Sequence, residues 1–340
     1  MKTLSNNSNL FPETNNRTLY MEHTIAVYIW TFVPPLIITL GTVGNLTTII
    51  VYARPSMRSS AFAIYAVALA ISDTVALYSG MLFDWLMLAF DVNISFRSSF
   101  GCKIVCWLVY TSVCYSAWII TAITVERVAL VWFPLWSRRR NDKKFSKKLI
   151  VSIFVFCMLL NSHLLYGIVL DTRQSIFHRK CNTVDESYQI FFQHVWPWIT
   201  SNVFCFVPCF LIITCNMMII FKMLKGPNYT CRSYRPNPFS PRNICMKDQR
   251  TVIILPLLLT LNTVFLITTL PLNIYLLILK FTDVLVSDVY SKKEAQNYLC
   301  WTILNMLLFS NNAVNCIFYC LSGSNFRKEL KAMCCNKGFH

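Results

Sequence analysis

The chain has 340 residues, of which 55% are hydrophobic and 14% charged, and its mean hydropathy is +0.49. Soluble domains carry about 25% charge to coat their surface, so most soluble enzymes, disordered chains and collagen-like chains are excluded and a membrane protein is the default. The net charge of +16 and the fifteen Cys raise nucleic acid, disulfide scaffolds and metal clusters as alternatives, but there is no CxxC, no zinc-finger Cys/His spacing and no HExxH.

Residues 1–27 are polar and open with no charged-then-apolar leader. They contain glycosylation sequons at Asn6 and Asn16. Seven apolar segments follow, at 28–52, 61–89, 104–132, 149–170, 197–223, 252–279 and 299–321. Each is long enough to cross about 30 Å of hydrocarbon at about 1.5 Å per residue. Continuous runs of this length are helices, because only a helix satisfies its own backbone groups in lipid. A transmembrane β-barrel would show short alternating segments, and the halves show no internal repeat of the transporter kind. The predicted fold is therefore all-α: a tail over 1–27, a seven-helix bundle over 28–322, and an amphipathic helix with a cytoplasmic tail over 323–340.

Lys and Arg concentrate after the first, third, fifth and seventh segments, including Arg54, Arg58, Arg138, Arg139, Arg140, Lys143, Lys144, Lys147 and Lys148. Acidic residues there are few: Asp142, Asp248 and Glu329. The positive-inside rule places these segments in the cytoplasm and the N-terminus outside. The excess charge is thus a topology signal and not a nucleic-acid footprint. A third sequon, Asn93, falls on the outer side and agrees, whereas Asn228 falls in an inner loop. The expected location is the plasma membrane, with the C-terminus cytoplasmic.

Ionisable and amide side chains inside the spans mark function, because lipid tolerates them poorly. Asp73 lies midway along the second span and Glu126-Arg127-Val128 near the end of the third. Gly44-Asn45 lies in the first span, Ser116 in the third, and Asn311, Asn312, Asn315 and Tyr319 in the seventh. Further motifs are Pro134 seven residues after Arg127, Cys102 twenty-five residues before it, Pro208, Phe265, Pro271 and Asn315-Cys316-Ile317-Phe318-Tyr319. Together, in this order, they resemble the rhodopsin-like (class A) G-protein-coupled receptors over about residues 28–335, with the style of neuropeptide receptors. The chain departs from that pattern at Val128, Asn216, Thr269 and Cys316, and its fourth span lacks Trp.

The resemblance implies a receptor for an extracellular ligand with heterotrimeric G proteins and arrestin as cytoplasmic partners, and no enzymatic activity or cofactor. It implies a disulfide between Cys102 and Cys181. Asn45, Asp73, Ser116, Asn311, Asn312, Asn315 and Tyr319 would form an activation network, with Asp73 holding an allosteric Na⁺ in the resting state; a protonated Asp73 in a plain hydrogen-bond network is the alternative. Arg127 would pair with Glu126 at rest and turn to the G protein when active. The family's partner acid on the sixth helix is replaced by Thr251, which predicts a weaker restraint and measurable basal activity.

Aligned against that pattern, Val109 stands where aminergic receptors keep an Asp, and Phe309 where opsins keep a Lys. A pocket of aromatics is expected from Trp85, Trp107, Tyr110, Trp196, Trp198, Tyr275 and Trp301. Asp84 lies about three helical turns beyond Asp73 and would be its acid, with Asp171, Asp185, Glu186, Asp283, Asp288 and Glu294 in the outer loops. An acidic, aromatic mouth suits a peptide with a basic residue and an aromatic or amidated end; an interfacial aromatic belt is the other reading. A chemosensory receptor of the same fold for a non-peptide small molecule is the alternative function. After Gly323, Phe326, Leu330 and Met333 form an apolar face among cations, as in an interfacial helix on anionic lipid. Cys334 and Cys335 behind it suit palmitoylation.

Overall fold

The computed structural model describes residues 20–58, 60–90, 98–133, 143–170, 181–224, 242–281 and 291–335. Asn6, Asn16, Asn93 and Pro134 lie outside them, as do the side chains of Thr251, Cys334 and Cys335. Seven helices are long and apolar enough to cross a membrane: α1 Met21–Ala53, α2 Ala61–Phe90, α3 Ser99–Trp132, α4 Lys143–Gly167, α5 Glu186–Lys222, α6 Arg242–Phe281 with its apolar window at Leu259–Leu279, and α7 Lys292–Ser322. A shorter α8, Ser324–Cys335, follows. The protein is a multi-pass seven-helix bundle.

The helices outrun the apolar segments where polar residues extend a turn beyond the hydrocarbon. Thus α5 starts at Glu186, capped by the Asp185 carboxylate, which accepts from the Tyr188 N–H at 2.7 Å. Similarly α7 starts at Lys292 behind a capping box in which Glu294 Oε2 accepts from Ser291 N at 2.8 Å. The fourth helix ends earlier than expected. It stops at Gly167, and Ile168–Leu170 leave as a strand, β1, paired antiparallel with β2, Cys181–Thr183. β-branched Ile168 and Val169 suit this extended pairing. The hairpin delivers Cys181 to Cys102 in the first turn of α3, and the two are disulfide-bonded.

The core runs along α3, whose buried residues extend from Cys102 to Val128 and which packs against α2, α4 and α5. A second seam joins α1 to α7. At Gly44 a side chain would meet Cys316 Cβ at 3.0 Å, so glycine is what allows the two helices to approach there. Among the described residues three stretches are π-helical: Leu77–Leu82 in α2, and Phe191–Val195 and Ser201–Phe206 in α5. Each leaves carbonyls off the regular ladder, and in α5 one of them is taken up by α3: Trp118 Nε1 donates to Val203 O at 3.1 Å. Phe326 of α8 is buried against Tyr52 and Tyr319, and Arg54 at the end of α1 pairs with Glu329 at 3.0 Å.

Candidate functional site

Asp73 is fully buried in the middle of α2. Its Oδ1 accepts from Ser116 Oγ of α3 at 2.8 Å, and its Oδ2 accepts from Asn315 Nδ2 of α7 at 2.7 Å. One carboxylate therefore ties three helices together. Among the described residues no cation pairs with it. Asn45 Nδ2 donates to the Asn312 carbonyl at 3.2 Å, linking α1 to the same stretch of α7. Asn311, Asn312 and Tyr319 of α7 are also buried, and among the described residues the Tyr319 hydroxyl has no hydrogen-bond partner. Of the residues expected in this network, the structure joins Asp73 to Ser116 and Asn315, and Asn45 to the Asn312 carbonyl.

Towards the α8 end of the bundle Arg127 does not form the expected ion pair with Glu126. Adjacent helical residues project about 100° apart and do not face each other. The guanidinium lies instead over the Phe62 ring of α2, 5.5 Å from its centroid. One turn before Arg127, Thr124 Oγ1 donates to Asn262 Oδ1 of α6 at 3.0 Å, and Asn262 Nδ2 donates to Asn216 Oδ1 of α5 at 2.8 Å. Trp132 Nε1 donates to Met218 O at 3.3 Å, a further tie between α3 and α5.

At the end of the bundle that holds the disulfide a cavity of about 530 Å³ opens between α3, α5, α6 and α7. It is lined by aromatics, among them Tyr110, Phe192, Trp196, Tyr298 and Trp301. Glu294 is the charged side chain of its lining, and neither Lys nor Arg is among the lining residues. Trp196 is 2% exposed and its indole N–H has no hydrogen-bond partner. Behind it stands His163 of α4, its ring 4.1 Å from that of Trp196 and its Nδ1 2.7 Å from the Tyr188 hydroxyl.

A profile of the 7 transmembrane receptor (rhodopsin family) matches residues 44–319. The chain belongs to the rhodopsin family of seven-transmembrane receptors. It is similar to the C-C chemokine receptor type 1 of Macaca fascicularis, at 23% identity over 88% of this chain and 78% of that receptor. It is also similar to the cysteinyl leukotriene receptor 1 of Cavia porcellus, at 21% identity over 96% and 90%. A third relative is the G-protein coupled receptor 54 of Oreochromis niloticus, at 23% over 87% and 75%.

In this rhodopsin-family receptor the expected ligand residues separate into groups. Tyr110, Trp196 and Trp301 line the cavity, and Tyr275 stands beside it, donating from its hydroxyl to the Asn297 carbonyl at 2.9 Å. Asp84 and Trp85 do not reach it: Trp85 Nε1 donates to Thr31 O of α1 at 3.0 Å, and Asp84 is exposed. The π-helical stretch between Asp73 and Asp84 turns less per residue than an α-helix, so counting whole α-turns along α2 misplaces both residues. Trp107 points to α4, its indole N–H 3.4 Å from Met158 O. Val109 and Phe309 flank Gly80, where a side chain would meet the Phe309 ring at 2.8 Å. Sequence reading missed Asn262 altogether, and it noted Asn216 only as a departure. A single Asn in the apolar stretch Leu257–Phe265 was the available signal.

Proposed function

We propose that this receptor sits in the plasma membrane with its N-terminus outside, binds an extracellular peptide and activates heterotrimeric G proteins, with arrestin as a further cytoplasmic partner. The observation that carries the ligand class is the lining of the outer cavity: aromatic walls, one carboxylate at Glu294, and no Lys or Arg among the lining residues. Such a lining favours a cationic group against the carboxylate and the rings, and disfavours an anionic one. The unpartnered Trp196 N–H offers a bond to an acceptor such as a peptide carbonyl or terminal amide. A cavity of about 530 Å³ takes the end of a peptide and not the whole of one. The rest would lie on the surface beside the disulfide-held hairpin.

The ligand acts by differential binding, stabilising the bundle in which Arg127 is presented to the G protein. Asp73 fits an Na⁺ that holds the resting state. The carboxylate is buried without a counter-cation among the described residues, and it accepts from the Ser116 hydroxyl and the Asn315 amide. Oxygen donors of this kind suit a hard cation. Sequons at Asn6, Asn16 and Asn93 would carry glycans outside, and Cys334 and Cys335 would carry palmitate inside, alongside anionic lipid.

The test is a panel of amidated peptides with a basic and an aromatic terminal residue, run beside a carboxylated eicosanoid and an uncharged sterol. The readout is GTPγS loading of co-expressed Gα subunits. The expected result is a response to peptides only, with Glu294→Gln lowering potency about tenfold, a typical cost of one desolvated charge pair. A response confined to the uncharged or carboxylated lipid would overturn the peptide reading in favour of a small-molecule chemosensory receptor.

A further inference from the structure

We propose that Asn262 is a latch that holds α6 against α3 and α5 in the resting receptor. Asn262 is 1% exposed and stands on α6 with the buried Leu261 and Phe265. Both ends of its amide are used. The oxygen accepts at 3.0 Å from Thr124 of α3, whose single hydroxyl proton is shared with the Ile120 carbonyl at 2.8 Å, and the nitrogen donates to Asn216 of α5 at 2.8 Å. The bonds run in series through one side chain, so an outward movement of the cytoplasmic half of α6 breaks both together. It would leave the amide without a partner in a low-dielectric bundle, and the closed arrangement is favoured by that difference.

Two departures of this sequence from its family become coherent on this reading. Thr251 on α6 cannot give Arg127 an ionic partner, and Arg127 makes no ion pair with Glu126 either. The restraint on α6 has moved one turn along α3, to Thr124, and from charge to neutral amide. Asn216 replaces the family's aromatic residue and supplies the acceptor that Asn262 Nδ2 needs. Neutral interhelical bonds are weaker than a buried ion pair. Two of them shift a two-state equilibrium by roughly tenfold, which leaves room for basal signalling.

The latch rests on the receptor reading above, and the experiment separates the two. Full-length receptor in lipid nanodiscs is compared with Asn262→Leu, Thr124→Val, Asn216→Leu and the double variant Thr124→Val/Asn262→Leu. Agonist-free GTPγS loading of Gα should rise about tenfold in Asn262→Leu and about threefold in each partner variant, with the double variant no higher than Asn262→Leu. Fluorescent non-natural amino acids at positions 58 and 250 report the separation of α6 in the same samples. It should lengthen in the same order. Wild-type loading and separation in variants that reach the membrane, or effects that add independently, would overturn the latch. Should Asn262→Leu fail to fold, Thr124→Val and Asn216→Leu carry the same expectation. A lengthened separation with no Gα loaded by any form, wild type included, would uphold the latch and refute the G-protein reading.

Discussion

Asp73 receives donors from two other helices at 2.8 and 2.7 Å, so its replacement reaches further than that of any surface charge. Under the proposed ion site, Na⁺ lowers agonist affinity in the wild type by favouring the resting bundle. Asp73→Asn keeps the volume and a hydrogen-bonding oxygen but removes the charge. Agonist affinity should then no longer respond when NaCl replaces choline chloride at constant ionic strength. An Na⁺ effect of unchanged size in Asp73→Asn would count against the site. At this scale the sequence was legible where a costly residue has one physical use. A lone carboxylate in an apolar span must find partners, and it was the resemblance to the rhodopsin-like pattern that grouped Ser116 and Asn315 with Asp73. Asp84 and Trp85 were misplaced because their direction depends on how far α2 has rotated, which composition does not reveal. Glu294 was recognised as an acid but assigned to a loop, because its capping role extends α7 beyond the apolar segment.

Helix ends and irregular turns position the groups that matter. In α5, π-helical Ser201–Phe206 lies directly after Thr200, a lining residue of the cavity, and its Val203 carbonyl is fixed by Trp118 of α3. This bond couples the wall of the cavity to the central helix. Trp118→Phe preserves the aromatic packing and removes the N–H, leaving the carbonyl to find another partner. We expect a loss of about 1 kcal/mol, seen as a fall of about 3 °C in the Tm of detergent-solubilised receptor, with ligand affinity also reduced. An unchanged Tm would show that the carbonyl is satisfied without Trp118. In α7, Cys316 replaces the family's proline, so Lys292–Ser322 continues as one helix. The Asn312 carbonyl, which Asn45 also approaches, therefore does not depend on a proline break to be placed. The seven helices could be read from apolar length alone, whereas the π-helical stretches could not, since neither Leu77–Leu82 nor Ser201–Phe206 carries a proline or a distinctive composition.

The whole molecule is a bundle closed at one end by the Cys102–Cys181 disulfide and at the other by the docking of α8 through Phe326. Between these ends the polar contacts form a column: the cavity with Glu294 and Trp196, the Asp73 network, and the Thr124–Asn262–Asn216 chain one turn from Arg127. Each level joins different helices, so a ligand that favours one arrangement at the top biases the levels below without any single rigid connection. Apolar length and span count were enough to recover this seven-helix architecture from sequence. The partner exchanges inside it were not recoverable, because hydrogen bonds between distant helices depend on rotations that no local pattern encodes.

The central claim is that energy from ligand binding outside is delivered to a G protein through Arg127. Purified receptor in nanodiscs, mixed with GDP-loaded Gα and the peptide that wins the panel, measures this directly as the rate of GDP release. The account predicts acceleration by wild type, and in Arg127→Ala wild-type ligand binding with the acceleration lost. GDP release equally fast in Arg127→Ala, or unaccelerated by wild type for every Gα subtype, would contradict it.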